Sequence, residues 1–144
     1  MIPSDLLHAY LTSEYHVTDL TLTIRISQLH PDLDKFLERY ACTAWAFITT
    51  YNPASQILPE EQNIARHQML VEDLAEYTCF EGYGVGTDPQ WKPERSLLVL
   101  GMDQDAAKAI GKKYGQNAIV VGNAGGAATL VLLEPSADDL QRVD

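Results

Sequence analysis

Six polar residues on three short segments are the candidates for chemistry. Asn52 and Ser55 stand in the turn cluster Asn52-Pro53-Ala54-Ser55. Asn63 and Arg66 follow, three residues apart and so on one side of a predicted helix. Amide, hydroxyl and guanidinium groups together suit a phosphate or carboxylate ligand. The start of that helix adds unpaired N–H groups and a partial positive charge, a natural seat for an anion. Glu94 and Ser96 flank Arg95 at the entry to a predicted strand, where alternation puts both on one face. A carboxylate beside a hydroxyl can hold a polar ligand, and Glu94 is the candidate general acid or base. Each residue also has a structural duty open to it. Asn52 and Ser55 can bond nearby backbone, Arg66 can pair with Gln62 or Glu81, and Glu94 can pair with a neighbouring base.

Other motifs carry less. Gly82-Tyr83-Gly84-Val85-Gly86 places its third glycine too early for a dinucleotide fingerprint, and Asp88-Pro89 follows in place of a helix start. It reads as a loop. Gly122-Asn123-Ala124-Gly125-Gly126 lacks the lysine and serine of a phosphate loop and reads as a turn. The four histidines form no metal-ligand spacing with either cysteine, so no metal site is expected, and the sequence leaves the cofactor open. His67 lies on the apolar stripe of its helix and reads as a core histidine. Cys42 and Cys79 read as small buried hydrophobes. Trp91, in Pro89-Gln90-Trp91-Lys92-Pro93, can lid a pocket by stacking or simply cover the sheet.

These groups need a scaffold, and its elements show in the hydrophobic pattern. Ser4 can cap a short helix carrying Leu6, Leu7, Tyr10 and Leu11. Leu20, Leu22, Ile24 and Ile26 alternate with polar residues, the mark of a half-buried strand. Pro31 opens a second helix. Ala44-Trp45-Ala46-Phe47-Ile48-Thr49-Thr50-Tyr51 is nearly continuous in apolar and β-favouring residues, so it predicts a central strand covered on both faces. The loop 51–59 leads from it to the longest helix, predicted over 59–77. Further strands are expected at 96–100 and 117–121, and a helix capped by Asp103 lies between them. The chain then turns back through 127–133 as a hairpin. The fold class is α/β, with α+β also open: a single mixed sheet of five or six strands, helices packed on it, and a C-terminal hairpin. In open α/β sheets ligands bind at carboxyl ends of strands, which points to loop 51–59.

The chain has 144 residues, 46% hydrophobic and 21% charged, the size and balance of one globular domain. We expect that domain over 1–134 and an acidic tail over 135–144. Twenty acids against ten bases give a net charge of −10. That excludes a broad basic patch and argues against nucleic acid as the partner. No apolar run approaches the roughly 20 residues of a membrane span, and no secretion signal is visible. A cytoplasmic protein with reduced thiols is expected.

The run from Ala44 to Ser55 quoted above, followed by Glu60-Glu61-Gln62-Asn63, resembles an uncharacterised bacterial family, the domain-of-unknown-function family numbered 3293. Glu94-Arg95-Ser96 and Tyr114-Gly115-Gln116-Asn117-Ala118-Ile119 fit the same pattern. Thr50, Pro59 and Tyr114 depart from it, standing where alanine, serine and phenylalanine are usual. The resemblance implies a small soluble bacterial protein and no particular activity. Two functions are open. One is binding of, or action on, a small phosphate- or carboxylate-bearing metabolite at the strand-to-helix loop. The other is an acidic interaction module, without catalysis, for a basic partner protein.

Overall fold

The computed structural model describes residues 3–133, and the acidic tail expected at 135–144 lies outside them. A first helix, α1 (Ser4–Thr12), runs directly into β1 (Glu14–Val17). A single 3-10 turn at Thr18–Leu20 reverses the chain into β2 (Leu22–Ile24). Next come α2 (Pro31–Arg39), β3 (Ala44–Thr49) and α3 (Glu60–Asp73). Strands β4 (Thr78–Val85) and β5 (Glu94–Leu100) follow, then α4 (Gln104–Lys113), β6 (Ala118–Asn123) and β7 (Thr129–Leu132).

The strands form one seven-stranded sheet in the order β2-β1-β4-β5-β3-β6-β7. All of its ladders are antiparallel among the described residues. The sheet curls until the segments flanking its two edge strands touch. Ile26, just past β2, makes a parallel bridge to Ala128, just before β7, and Ser27 N donates to Ala128 O at 2.8 Å. The result is a half-barrel with a concave and a convex face.

Alternation along the strands builds a core on each face. On the concave side Trp45, Leu98, Leu100 and Ile24 pack against Leu33 and Leu37 of α2. On the convex side Ala46, Ile48, Leu97 and Val99 pack against Leu70 and Leu74 at the end of α3 and Ala107 of α4. β3 therefore is covered on both faces, as its continuous apolar run predicts, and the C-terminal hairpin β6–β7 is present. Asp103 caps α4, its carboxylate accepting from Ala106 N at 2.8 Å.

Two local expectations shift. The alternating stretch near residue 20 is broken by Thr21, whose φ of 51° turns the chain, so the strand there begins at Leu22. Its partner β1 repeats the alternation in four residues, with Tyr15 and Val17 buried and Glu14 and His16 half-buried. More consequential is the glycine row. Gly82 and Gly84 lie inside β4, not in a loop, and Gly86 directly follows it.

Candidate functional site

The glycines hollow the sheet. In the β4–β5 ladder Gly84 faces Glu94 and Gly82 faces Ser96. On the concave side, where the neighbouring Phe80↔Leu98 pair fills the core, these positions supply no side chain of their own from β4. Gly82 must stay bare, because a Cβ there would overlap the backbone oxygen of His16 on β1. Gly84 differs, since a Cβ would stand 3.6 Å from the Tyr15 ring, an ordinary contact. The space left open is a cavity of about 420 Å³. Its floor includes Phe47, Thr49, Gly84, Glu94 and Ser96, and α1 closes it with Leu6, Ala9 and Tyr10. Trp91, from the loop between β4 and β5, forms part of the wall. No residue of α1 is buried, so that helix covers the cavity without being part of either core.

Four of the six candidate residues reach this cavity: Asn52, Ser55, Glu94 and Ser96. Glu94 is its most distinctive group. One carboxylate oxygen, Oε2, accepts from Asn52 Nδ2 at 2.8 Å and from Trp91 Nε1 at 3.3 Å. Burial raises its pKa above the ordinary glutamate value, against the two hydrogen bonds, which lower it. Ser96 is buried and donates its hydroxyl to the Glu94 carbonyl at 2.9 Å, so it stiffens the strand entry beneath the carboxylate.

Asn63 acts one step behind. It is 2% exposed and clasps Asn52 from α3, with Nδ2 on Asn52 Oδ1 at 2.9 Å and Oδ1 accepting Asn52 N at 3.0 Å. Leu58 N also donates to Asn52 Oδ1. A chain of amides thus runs from the buried side of α3 through Asn52 to the Glu94 carboxylate. It also holds a strained loop. Asn52, Ala54 and Ser55 have φ of 48°, 53° and 60°, left-handed values that cost alanine and serine roughly 1–2 kcal/mol each. Ala54 N is tied to Gly115 O at 2.9 Å. Ser55 Oγ lies 3.0 Å from Tyr10 Oη and accepts from Asn117 Nδ2 at 3.1 Å.

Arg66 goes elsewhere. Its Nε donates to Thr50 O at 2.8 Å, its Nη2 donates to Tyr114 O, and its guanidinium lies 5.8 Å from the Tyr114 ring centre. Two carbonyls at the ends of β3 and α4 consume it, and it does not line the cavity. The candidates do not converge at the start of α3: a hollow beside Tyr51 and Glu60 is lined by none of them, and the four that meet do so on the concave face of the sheet. The first turn of α3 carries Glu60 and Glu61, and Glu60 accepts from Tyr51 Oη at 3.1 Å. The rule for strand carboxyl ends belongs to open parallel sheets, and this sheet is antiparallel and curled. His67 is buried in the core, its Nε2 3.0 Å from Glu81 Oε1 on the convex side.

Tyr10, Tyr15, Phe47, Gly84 and Gly86 also line the cavity, though the sequence pattern marks the first and third only as scaffold and the glycines only as a loop. The signal was present in Gly82, Gly84 and Gly86, whose spacing of two is that of one strand face.

Residues 48–119, half of the chain, match the family described as "Protein of unknown function (DUF3293)". The matched stretch contains all six candidate residues and the glycine row, while α1 and Tyr15 lie before it. No curated protein and no solved structure gives a significant match. No helix among the described residues is long and apolar enough to cross a membrane. Sequence resemblance and family match agree, and the chain belongs to the DUF3293 family.

Proposed function

We propose that the protein binds a small organic molecule in the cavity between the concave face and α1, with Glu94 as its fixed polar contact. The observation that carries this reading is the position of that carboxylate. It stands opposite Gly84, where the ladder supplies no side chain to cover it, and it is held from one oxygen by Asn52 and Trp91. Cavities of this size, mostly apolar with a few oriented polar groups, are where small ligands are held. A carboxyl group with raised pKa in such a place also suits general acid or base work on the bound molecule. The phosphate- or carboxylate-bearing metabolite expected from sequence has weaker support. Its intended cation, Arg66, is engaged by backbone, and the described lining includes the acids Asp5, Asp88 and Glu94. A bacterial, cytoplasmic setting remains part of the proposal.

The test uses a neutral probe of fitting size. Indole should bind the wild-type protein saturably in ligand-observed NMR. Gly84→Val, which grows a side chain into the cavity, should lose that binding while its far-UV circular dichroism stays unchanged. Wild-type-like binding by a folded Gly84→Val protein, or no saturable binding by the wild type, overturns the proposal.

A further inference from the structure

The acids of this protein are treated unequally. At the surface Glu14 meets Arg25 at 2.5 Å, Glu81 meets Arg95 at 3.0 Å and Asp73 meets Lys113 at 2.7 Å. Glu94 differs: burial raises its pKa where a paired base lowers those of Glu14 and Asp73, and its described partners are two neutral donors, an amide and an indole N–H. A desolvated carboxylate without a counter-ion is a cost, and a cation delivered to it offsets that cost. The surroundings suit such a cation. Asp5 and Asp88 add negative charge at the cavity, and its described lining contains no lysine, arginine or histidine. Tyr10, Tyr15, Phe47 and Trp91 surround the same space with aromatic rings, whose faces attract cations. Tyr15 and Phe47 already pack edge-on, 5.4 Å between centres, so that wall is rigid.

Resting on the cavity reading above, we propose that the ligand is an organic cation: a protonated amine on a flat apolar body. Its ammonium group meets Glu94 and its body lies among the aromatic rings. The anchoring oxygen Oε2 is held by Asn52 and Trp91, and no protein partner stands on Oε1 among the described residues. The ammonium donates there. Trp91 serves twice, orienting the carboxylate through Nε1 and offering ring surface to the ligand.

Three probes of one shape separate this inference from the cavity reading: phenethylamine, 2-phenylethanol and 3-phenylpropionate. Titrated near neutral pH, the amine should bind about tenfold more tightly than the alcohol, and the carboxylate more weakly than either. Glu94→Gln keeps an acceptor for Asn52 and Trp91 but removes the charge. It should bring the amine down to the alcohol and leave the alcohol unchanged. The protein's overall charge of −10 would attract any cation, but it is nearly intact in that variant, so loss of the preference locates the effect at Glu94. Equal binding of amine and alcohol, or a preference that survives Glu94→Gln, overturns the cation inference and leaves the cavity reading standing. If none of the three binds saturably, the cation inference falls, and the indole titration decides the cavity reading by itself.

Discussion

Two glycines on the concave face are put to opposite uses. Gly122 on β6 faces Trp45 on β3, and the indole fills the space that its absent side chain leaves: a Cβ there would stand 2.5 Å from the ring. Gly84 on β4 faces Glu94 on β5, and its space joins a cavity. The strands between them change along their length in the same sense. Going from the α2 end to the α1 end, β3 presents Trp45, Phe47 and Thr49, and β5 presents Leu100, Leu98, Ser96 and Glu94. Bulk and apolarity fall together, toward a carboxylate. One end of the sheet is built to exclude everything, the other to leave room. The α2 end carries stability, and the α1 end leaves its carboxylate without a counter-ion among the described residues.

The sharpest way to break this contrast is to add the same methyl group at each glycine. Gly122→Ala must displace an indole that is 2% exposed and should cost about 1–3 kcal/mol in denaturant unfolding. Gly84→Ala should change stability by no more than about 0.5–1 kcal/mol, and can raise it, since glycine is unfavourable inside a strand. Equal losses at both sites would mean that the Gly84 space is packed, not open. Arg66→Ala comes next. It removes two charge-assisted bonds to carbonyls at a partly exposed site, so we expect a loss of about 1–2 kcal/mol. Indole binding should survive in the folded fraction, which separates this strut from the cavity. Tyr10→Phe should cost less, about 0.5–1 kcal/mol, because it removes only the hydroxyl contacts with Ser55 and Asn117. Its readout is amide exchange along α1, which should quicken while exchange in β3 stays unchanged.

How much of this was legible depended on whether a signal was local. The run from Ala44 to Thr49 states its own burial on both faces, and Asp103 states its own cap. Asn52, Ser55, Glu94 and Ser96 could be singled out as polar groups at element ends, and all four line the cavity. Arg66 could not be placed, because its destination is set by the end of α4, 48 residues later. The direction of the strands was equally hidden. Alternating helices and strands suggest parallel crossovers, but the ladders β3–β5 and β3–β6 are antiparallel. The glycine row misled for a different reason. Glycine breaks strands in isolation, and only the close approach of the β1 backbone to Gly82 makes it fit there.

The smallest effect isolates the carboxylate itself. Burial raises the pKa of Glu94 in the folded protein, so folding favours the protonated acid. The linkage then has a definite sign. The group's contribution to stability is complete below its unfolded pKa and is lost as pH rises through the higher folded value. Once ionised, the carboxylate is therefore a liability, the cost of keeping a charge where the sheet leaves space. Glu94→Gln removes that liability while an amide oxygen still accepts from Asn52 Nδ2. Denaturant midpoints should show the variant gaining on the wild type as pH rises from 4 to 7. Parallel curves over that range, or a variant that loses ground toward neutral pH, would show that the wild-type charge is already balanced within the folded chain. The contrast between the closed and the open end of the sheet would then lose its electrostatic half.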